Sequence, residues 1–128
     1  MSKIVFDSSA IIALFAKEKG YDFIKKHLKD AIISTVNIAE VYKYCIEVQH
    51  LSEEDAKKLT RMLDVKIIDF TEAQALITAT LVDKTKKFGL SLGDRACIAL
   101  AMQGNHDVIT CDNIWKKIDV GINFIMAR

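Results

Sequence analysis

Five short runs rich in β-branched and apolar residues punctuate the chain: Lys3 to Phe6, Ala31 to Ser34, Val65 to Ile68, Asp107 to Thr110 and Ile122 to Ile125. Continuous apolarity over such runs suits strands covered on both faces, whereas a half-exposed antiparallel strand alternates apolar with polar residues. Helical stretches separate the runs, and strand-helix alternation predicts an α/β domain with right-handed crossovers, a layer of helices on each side of a parallel sheet. Between the second and third runs, helices over Thr35 to Gln49 and Ser52 to Leu63 form a pair rather than a simple crossover. Ser52 with Asp55, and Thr71 with Gln74, have the spacing of capping boxes. Gly89 and Gly104 fall where a helix commonly ends in a left-handed residue.

A chain of 128 residues suffices for one compact domain and is short for two. No proline, Gly/Ser linker, low-complexity segment or internal repeat divides it, so one domain over residues 1–128 is predicted. Hydrophobic residues at 51% and charged residues at 27% allow a full core beneath a soluble surface. Cys45, Cys97 and Cys111 stand apart in apolar segments without a C-x-x-C, and His27, His50 and His106 are isolated from one another. That excludes a zinc knuckle and a thioredoxin-type motif, and points to a reducing cytoplasm. The start, MSKIVFD, reaches an aspartate after three apolar residues, unlike a secretory signal, and no apolar run approaches the length of a membrane span. A cytoplasmic chain with no membrane association is expected.

The net charge of +1 does not by itself mark a nucleic-acid binder. The lysines are nevertheless grouped: Lys17, Lys19, Lys25, Lys26 and Lys29, then Lys84, Lys86 and Lys87, then Lys116 and Lys117. Such groups either cover solvated helix faces or flank a site that holds a phosphate backbone.

Four acids occupy positions that this topology brings toward one edge of the sheet. Asp7 closes IVFD, Asp112 closes VITCD, Glu40 lies one turn into the helix after AIIST, and Asp94 opens the helix of SLGDRACIALA. In open α/β sheets, ligands bind beyond the carboxyl ends of the strands. Each acid also has a structural role open to it. Asp7 and Asp112 suit N-caps, Asp94 pairs with Ser91 at capping-box spacing, and Glu40 falls on a polar stripe with Asn37, Lys43 and Glu47. Taken together, four carboxylates repel one another unless a cation shares their site. Mg²⁺ or Mn²⁺ prefers carboxylate oxygen, keeps several waters, activates one of them and offsets charge on a phosphate. Ser8, Ser9, Asn37 and Thr110 are small polar neighbours suited either to orienting those acids or to capping and turn formation.

The segments IVFDSSAIIALF, ISTVNIAEVY, GLSLGDRACIALA and VITCDNIWKKI, in this order, resemble the signature segments of the PIN domain family, and more narrowly its VapC-type toxins. The likeness runs from near residue 4 to near residue 118, with L-S-L-G-D-R-A-C its most specific part. It implies a Rossmann-like, PIN-like sheet of about five parallel strands and a metal-dependent endoribonuclease that cleaves RNA with a metal-activated water. It further implies a homodimer inhibited by a cognate VapB-type antitoxin. Carried over by position, the family's acidic quartet falls on Asp7, Glu40, Asp94 and Asp112, as catalytic residues and as ligands of Mg²⁺ or Mn²⁺. Its hydroxyl residues fall on Ser8 or Ser9 and on Thr110. Cys111 departs from the small residue more usual there.

Readings from other classes were weighed against the same residues. A phospho-receiver domain needs an acidic pair after the first strand and a lysine after the last, and Ser8 and GINFIMAR supply neither. A dehalogenase-type phosphatase needs D-x-D, and Ser9 stands at its second position. A PIN-like module that binds RNA or a partner protein, with catalysis weak or absent, is the remaining alternative.

Overall fold

The computed structural model describes residues 3–128; Met1 and Ser2 of the predicted domain lie outside the described residues. Its strands are β1 (Ile4–Phe6), β2 (Ala31–Ser34), β3 (Lys66–Ile68), β4 (Asp107–Thr110) and β5 (Phe124–Met126). They form one sheet in the order β3-β2-β1-β4-β5, and every pairing is parallel. The helices are α1 (Ser8–Ala16), α2 (Tyr21–Lys25), α3 (Thr35–Lys43), α4 (Glu53–Met62), α5 (Glu72–Thr80), α6 (Val82–Thr85) and α7 (Leu92–Gly104). The Rossmann-like parallel architecture expected from the sequence is the one observed.

Strand alternation divides the core into two layers. Phe6, Ile33 and Ile109 face one way, against Ile11 and Leu14 of α1, Val41 of α3 and Ala56 of α4. Val5, Ile32 and Val108 face the other, against Cys97, Ile98 and Ala101 of α7, with Leu81 and Trp115. Each of the three central strands thus buries both faces, which is why their sequences are apolar without a break. The edge strands differ from expectation. Lys66 and Ile67 of β3 are exposed, and all three residues of β5 are only half-buried. β5 also starts two residues later than the apolar run suggests, after a turn in which Gly121 has a φ of 76°.

The helix ends refine the sequence reading. The stretch from Thr35 to Gln49 is α3 continued by a π-helical segment, Tyr44–Val48, in which the Gln49 N–H donates to the Tyr44 carbonyl at 3.2 Å. Ser52 and Thr71 cap α4 and α5 by accepting from the backbone N–H of Asp55 and Gln74. The Gln74 amide, however, donates to Gln103 Oε1 at 2.9 Å, tying α5 to α7 rather than closing a box. Gly89 is left-handed as predicted, whereas Gly104 ends α7 in helical conformation and Asn105, at φ 53°, takes the left-handed position. A Cβ at Gly104 would meet the His106 ring, the end of a side chain that would have to turn aside.

Topology places the site. From β1 the chain winds outward through β2 to β3, then returns past β1 to β4 and winds the opposite way to β5. The winding reverses between β1 and β4, where neighbouring crossovers diverge and leave a crevice at the carboxyl ends of the strands.

Candidate active site

Asp7 and Thr110 follow the paired residues Phe6 and Ile109 and emerge side by side at the reversal point. The Thr110 hydroxyl donates to Asp7 Oδ2 at 2.7 Å, while Asp7 Oδ1 accepts from the Ser9 hydroxyl at 2.7 Å and the Ala10 N–H at 3.0 Å. The same Ser9 oxygen accepts the Cys111 N–H, and the Thr110 oxygen accepts the Asp112 N–H, so four residues are locked to one carboxylate. Asp7 is only 4% exposed. Burial pushes its carboxyl up to about 6, with the Asp94 charge adding to the rise, against the opposing pull of the Thr110, Ser9 and Ala10 hydrogen bonds.

A buried amide joins Glu40 to the helix that carries Asp94. Asn37 donates from Nδ2 to Glu40 Oε1 at 2.9 Å and to the Gly93 carbonyl at 3.0 Å, fastening the first turn of α7 to α3. Asn37 is therefore buried and does not belong to a solvated stripe. Its Oδ1 is buried without a hydrogen-bond donor among the described residues. A Cβ on Gly93 would lie 2.6 Å from Glu40 Oε2, so only glycine leaves the Glu40 carboxylate its present seat. Asp94 completes a reciprocal capping box, its Oδ2 accepting the Ser91 N–H at 2.9 Å and its own N–H donating to Ser91 Oγ at 3.2 Å. Asp112 is exposed and caps the 3₁₀ turn Asn113–Lys117 by accepting the Ile114 N–H at 3.1 Å.

Capping and site formation are compatible at Asp94 and Asp112, where each cap engages one carboxylate oxygen, whereas both Asp7 oxygens already accept hydrogen bonds. Asp94 Oδ1, Asp112 Oδ2 and Glu40 Oε2 accept no hydrogen bond among the described residues. The Cys97 thiol, buried on α7, is pushed well up, chiefly by burial and then by the fields of Asp7, Asp94 and Glu40. Asp112 is connected less directly, through the Thr110 hydroxyl that it shares with Asp7.

These residues fit a hydrated hard cation. The donor set is entirely oxygen, free carboxylate oxygens remain on three acids, and the orphaned Asn37 acceptor suits a donor such as an ion's water. Among the described residues, no three His, Cys, Asp or Glu side chains form a ready-made cage.

The smaller residues separate in role. Ser9 and Thr110 touch Asp7, whereas Ser8 lies in an adjoining cleft of about 340 Å³ with Ile12, Glu40, Lys43, Tyr44, Glu47 and Val48. Gly93, Lys43 and Tyr44 are absent from the sequence-level candidates. The glycine is explicable only by the nearness of α3, and Lys43 and Tyr44 stand where α3 passes into a π-helical segment that has no periodic signature.

The fold has counterparts among solved structures. No curated protein sequence matches the chain. Among solved structures, the fold is similar to a chain of DNA-bound VapBC from Salmonella typhimurium, at 16% identity and a TM-score of 0.75, covering 100% of both chains. It is similar to a chain of VapBC2 from Rickettsia felis bound to a promoter DNA fragment, at 18% identity and a TM-score of 0.74, covering 96% of this chain and 97% of that one. A third likeness is to VapC20 of Mycobacterium tuberculosis, a sarcin-ricin loop cleaving toxin, at 12% identity and a TM-score of 0.71, covering 94% of this chain and 99% of that one. The PIN domain model matches residues 4–121, which takes in every element from β1 to the end of the Asn113–Lys117 turn, and the chain belongs to the PIN domain family.

Proposed function

We propose that this chain, as one domain over residues 1–128, is a divalent-metal-dependent endoribonuclease and the toxin of a VapBC-type pair. What supports the reading is that Asp7 leaves β1 at the reversal point of the sheet, that Asn37 bonds both Glu40 and the Gly93 carbonyl next to Asp94, and that the Asp112 N–H shares the Thr110 hydroxyl with Asp7. A bound Mg²⁺ or Mn²⁺ would make a coordinated water more acidic and offset charge building on the scissile phosphate. Asp7, Asp94 and Asp112 would hold the ion, with Glu40 joining directly or through a water. Ser9 and Thr110 fix the Asp7 carboxylate, so its oxygens are aimed before the ion arrives. Asn37 does the same for Glu40, and its Oδ1 would take a hydrogen bond from a water in the site. Hydrolysis would proceed in line. Water oxygen bonds to phosphorus as the bond to the 3′ oxygen breaks, leaving a 5′-phosphate and, once that oxygen takes a proton, a 3′-hydroxyl.

The matched VapBC structures are toxin–antitoxin complexes and support a VapB-type antitoxin as partner here. The reading includes a homodimer, and α5 offers an exposed face of Ala73, Ala75, Leu76 and Ala79 for one. No helix of the described residues is long and apolar enough to cross a membrane, and we place the activity in the cytoplasm.

The test is cleavage of a total-RNA pool by protein purified free of antitoxin, with Mg²⁺ or Mn²⁺ and then with EDTA. Cutting that needs the metal, and that falls at least 100-fold in Asp94→Asn, is the expected result. Cutting that survives both EDTA and the substitution would overturn the assignment. No cutting by a metal-loaded protein would favour a binding module.

A further inference from the structure

The two lysine groups that lie far apart in the second half of the sequence meet in the fold. Lys84 and Lys87, from α6 and the following 3₁₀ turn Lys86–Phe88, line a cleft of about 310 Å³ with Lys117, from the turn Asn113–Lys117. Phe88, Asp83 and Asp119 complete the lining. Among the described residues none of the three lysines takes part in an ion pair, and the two aspartates leave the cleft with a net positive charge.

Both walls of the cleft are tied to the carboxylate site. One begins at Asp112, which caps the turn carrying Lys117; at about 2 Å of rise per residue, that ammonium's backbone lies roughly 10 Å along the turn. The other wall leads through the left-handed Gly89 to Ser91, the cap of the helix that carries Asp94. Neither wall is loose. Trp115 is fully buried beneath its turn, packed edge-on against Phe124 at 5.7 Å, and Phe88 packs on the same core. Lys87 Nζ rests over the Phe88 ring, 5.1 Å from its centroid, so moving that cation uncovers an aromatic face beside Lys84 and Lys117.

The remaining lysine group is excluded by topology. α1 leaves the carboxyl edge of the sheet at Ser8, and the residues that follow it lead into the start of β2, so Lys17, Lys19, Lys25, Lys26 and Lys29 fall toward the amino edge. A polyanion that reached the carboxylates would meet the Lys84–Lys87–Lys117 cleft and not that group.

We infer that this cleft carries the single-stranded RNA flanking the scissile phosphate: Lys84, Lys87 and Lys117 hold its backbone and Phe88 offers a stacking surface. The inference rests on the ribonuclease reading for its choice of polyanion. Lysines spaced around an aromatic residue suit single strands, in which phosphates and unpaired bases are both accessible. A double helix would present phosphates alone.

The test measures binding, so it does not depend on cleavage. Asp94→Asn protein, with the remaining chain intact, is titrated with a fluorescent single-stranded RNA across a salt series. It is compared with a version that also carries Lys84→Ala, Lys87→Ala and Lys117→Ala. A third version carries Lys57→Ala, Lys58→Ala and Arg61→Ala, an equal loss of charge on α4. Each phosphate contact contributes about 0.7 to the salt slope for a single strand, so the cleft substitutions should flatten it by about 2 and the α4 substitutions much less. Equal flattening by both sets, an unchanged slope, or no RNA binding would overturn the inference. So would loss of binding to an acidic protein partner with the RNA slope intact. Slope loss confined to the cleft variant supports it, even if the unsubstituted chain shows no metal-dependent cleavage, which would count against the nuclease reading alone.

Discussion

Asp7 carries a cost that a purely structural cap would not. Its carboxyl titrates near 6 in the folded chain against 3.8 for a free carboxyl. Between those values the folded state holds a proton that the unfolded state has released. In metal-free protein this group therefore contributes most to stability below about pH 4, and that contribution is lost as pH rises through about 6. A shift of this size corresponds to a few kcal/mol, on the order of 3. Asp7→Asn lacks the titration. In chelator, its melting temperature relative to the unsubstituted chain should climb between pH 4 and pH 7.5, and the gain should shrink when Mg²⁺ is added to both. A difference that stays flat with pH would mean that Asp7 is an ordinary cap. At this scale the sequence was informative in part. Asp7, Asp94 and Asp112 can be picked out as strand-end and helix-start acids, and all three do cap. What cannot be read is that each cap leaves the carboxylate capacity to do more, because that depends on which oxygen accepts the bond.

Elements bring those residues together, and the contact between α3 and α7 is the decisive one. Its polar link is one buried amide bridging Glu40 and the Gly93 carbonyl, with no side chain on Gly93 to keep the helices apart. Gly93→Ala inserts a methyl group against the Glu40 carboxylate. That carboxylate is the mobile end of its side chain, so it should swing away at a stability cost of about 1 kcal/mol, while Mn²⁺ affinity falls about tenfold or more. Thermal melting and ion titration of the same preparation separate the two effects, and unchanged affinity would show that Glu40 is not part of the site. The strands and most helix limits were legible because apolar period and cap chemistry are local. The α3–α7 contact was not, since residues 37 and 93 are 56 positions apart and no local rule pairs them. The π-helical end of α3 was equally hidden, and the edge strands looked more buried than they are because apolar sequence does not reveal sheet order.

For the whole molecule, the arrangement follows from a reversal of winding at β1 and β4. That single feature puts two strand ends and two helix starts at one crevice. The carboxylates there are held by hydroxyls, an amide and backbone N–H groups, without a cation from the chain among these partners. Such a site is electrostatically incomplete, and the central claim is that a divalent cation completes it. The most direct test is Mn²⁺ titration of metal-free protein followed by electron paramagnetic resonance, on the unsubstituted chain and on Asp7→Asn and Asp94→Asn. The account predicts saturable Mn²⁺ binding that weakens at least tenfold in each variant and that also weakens below about pH 6, where protons compete for Asp7. Mn²⁺ binding of equal strength in all three proteins, or none in the unsubstituted chain, would contradict it.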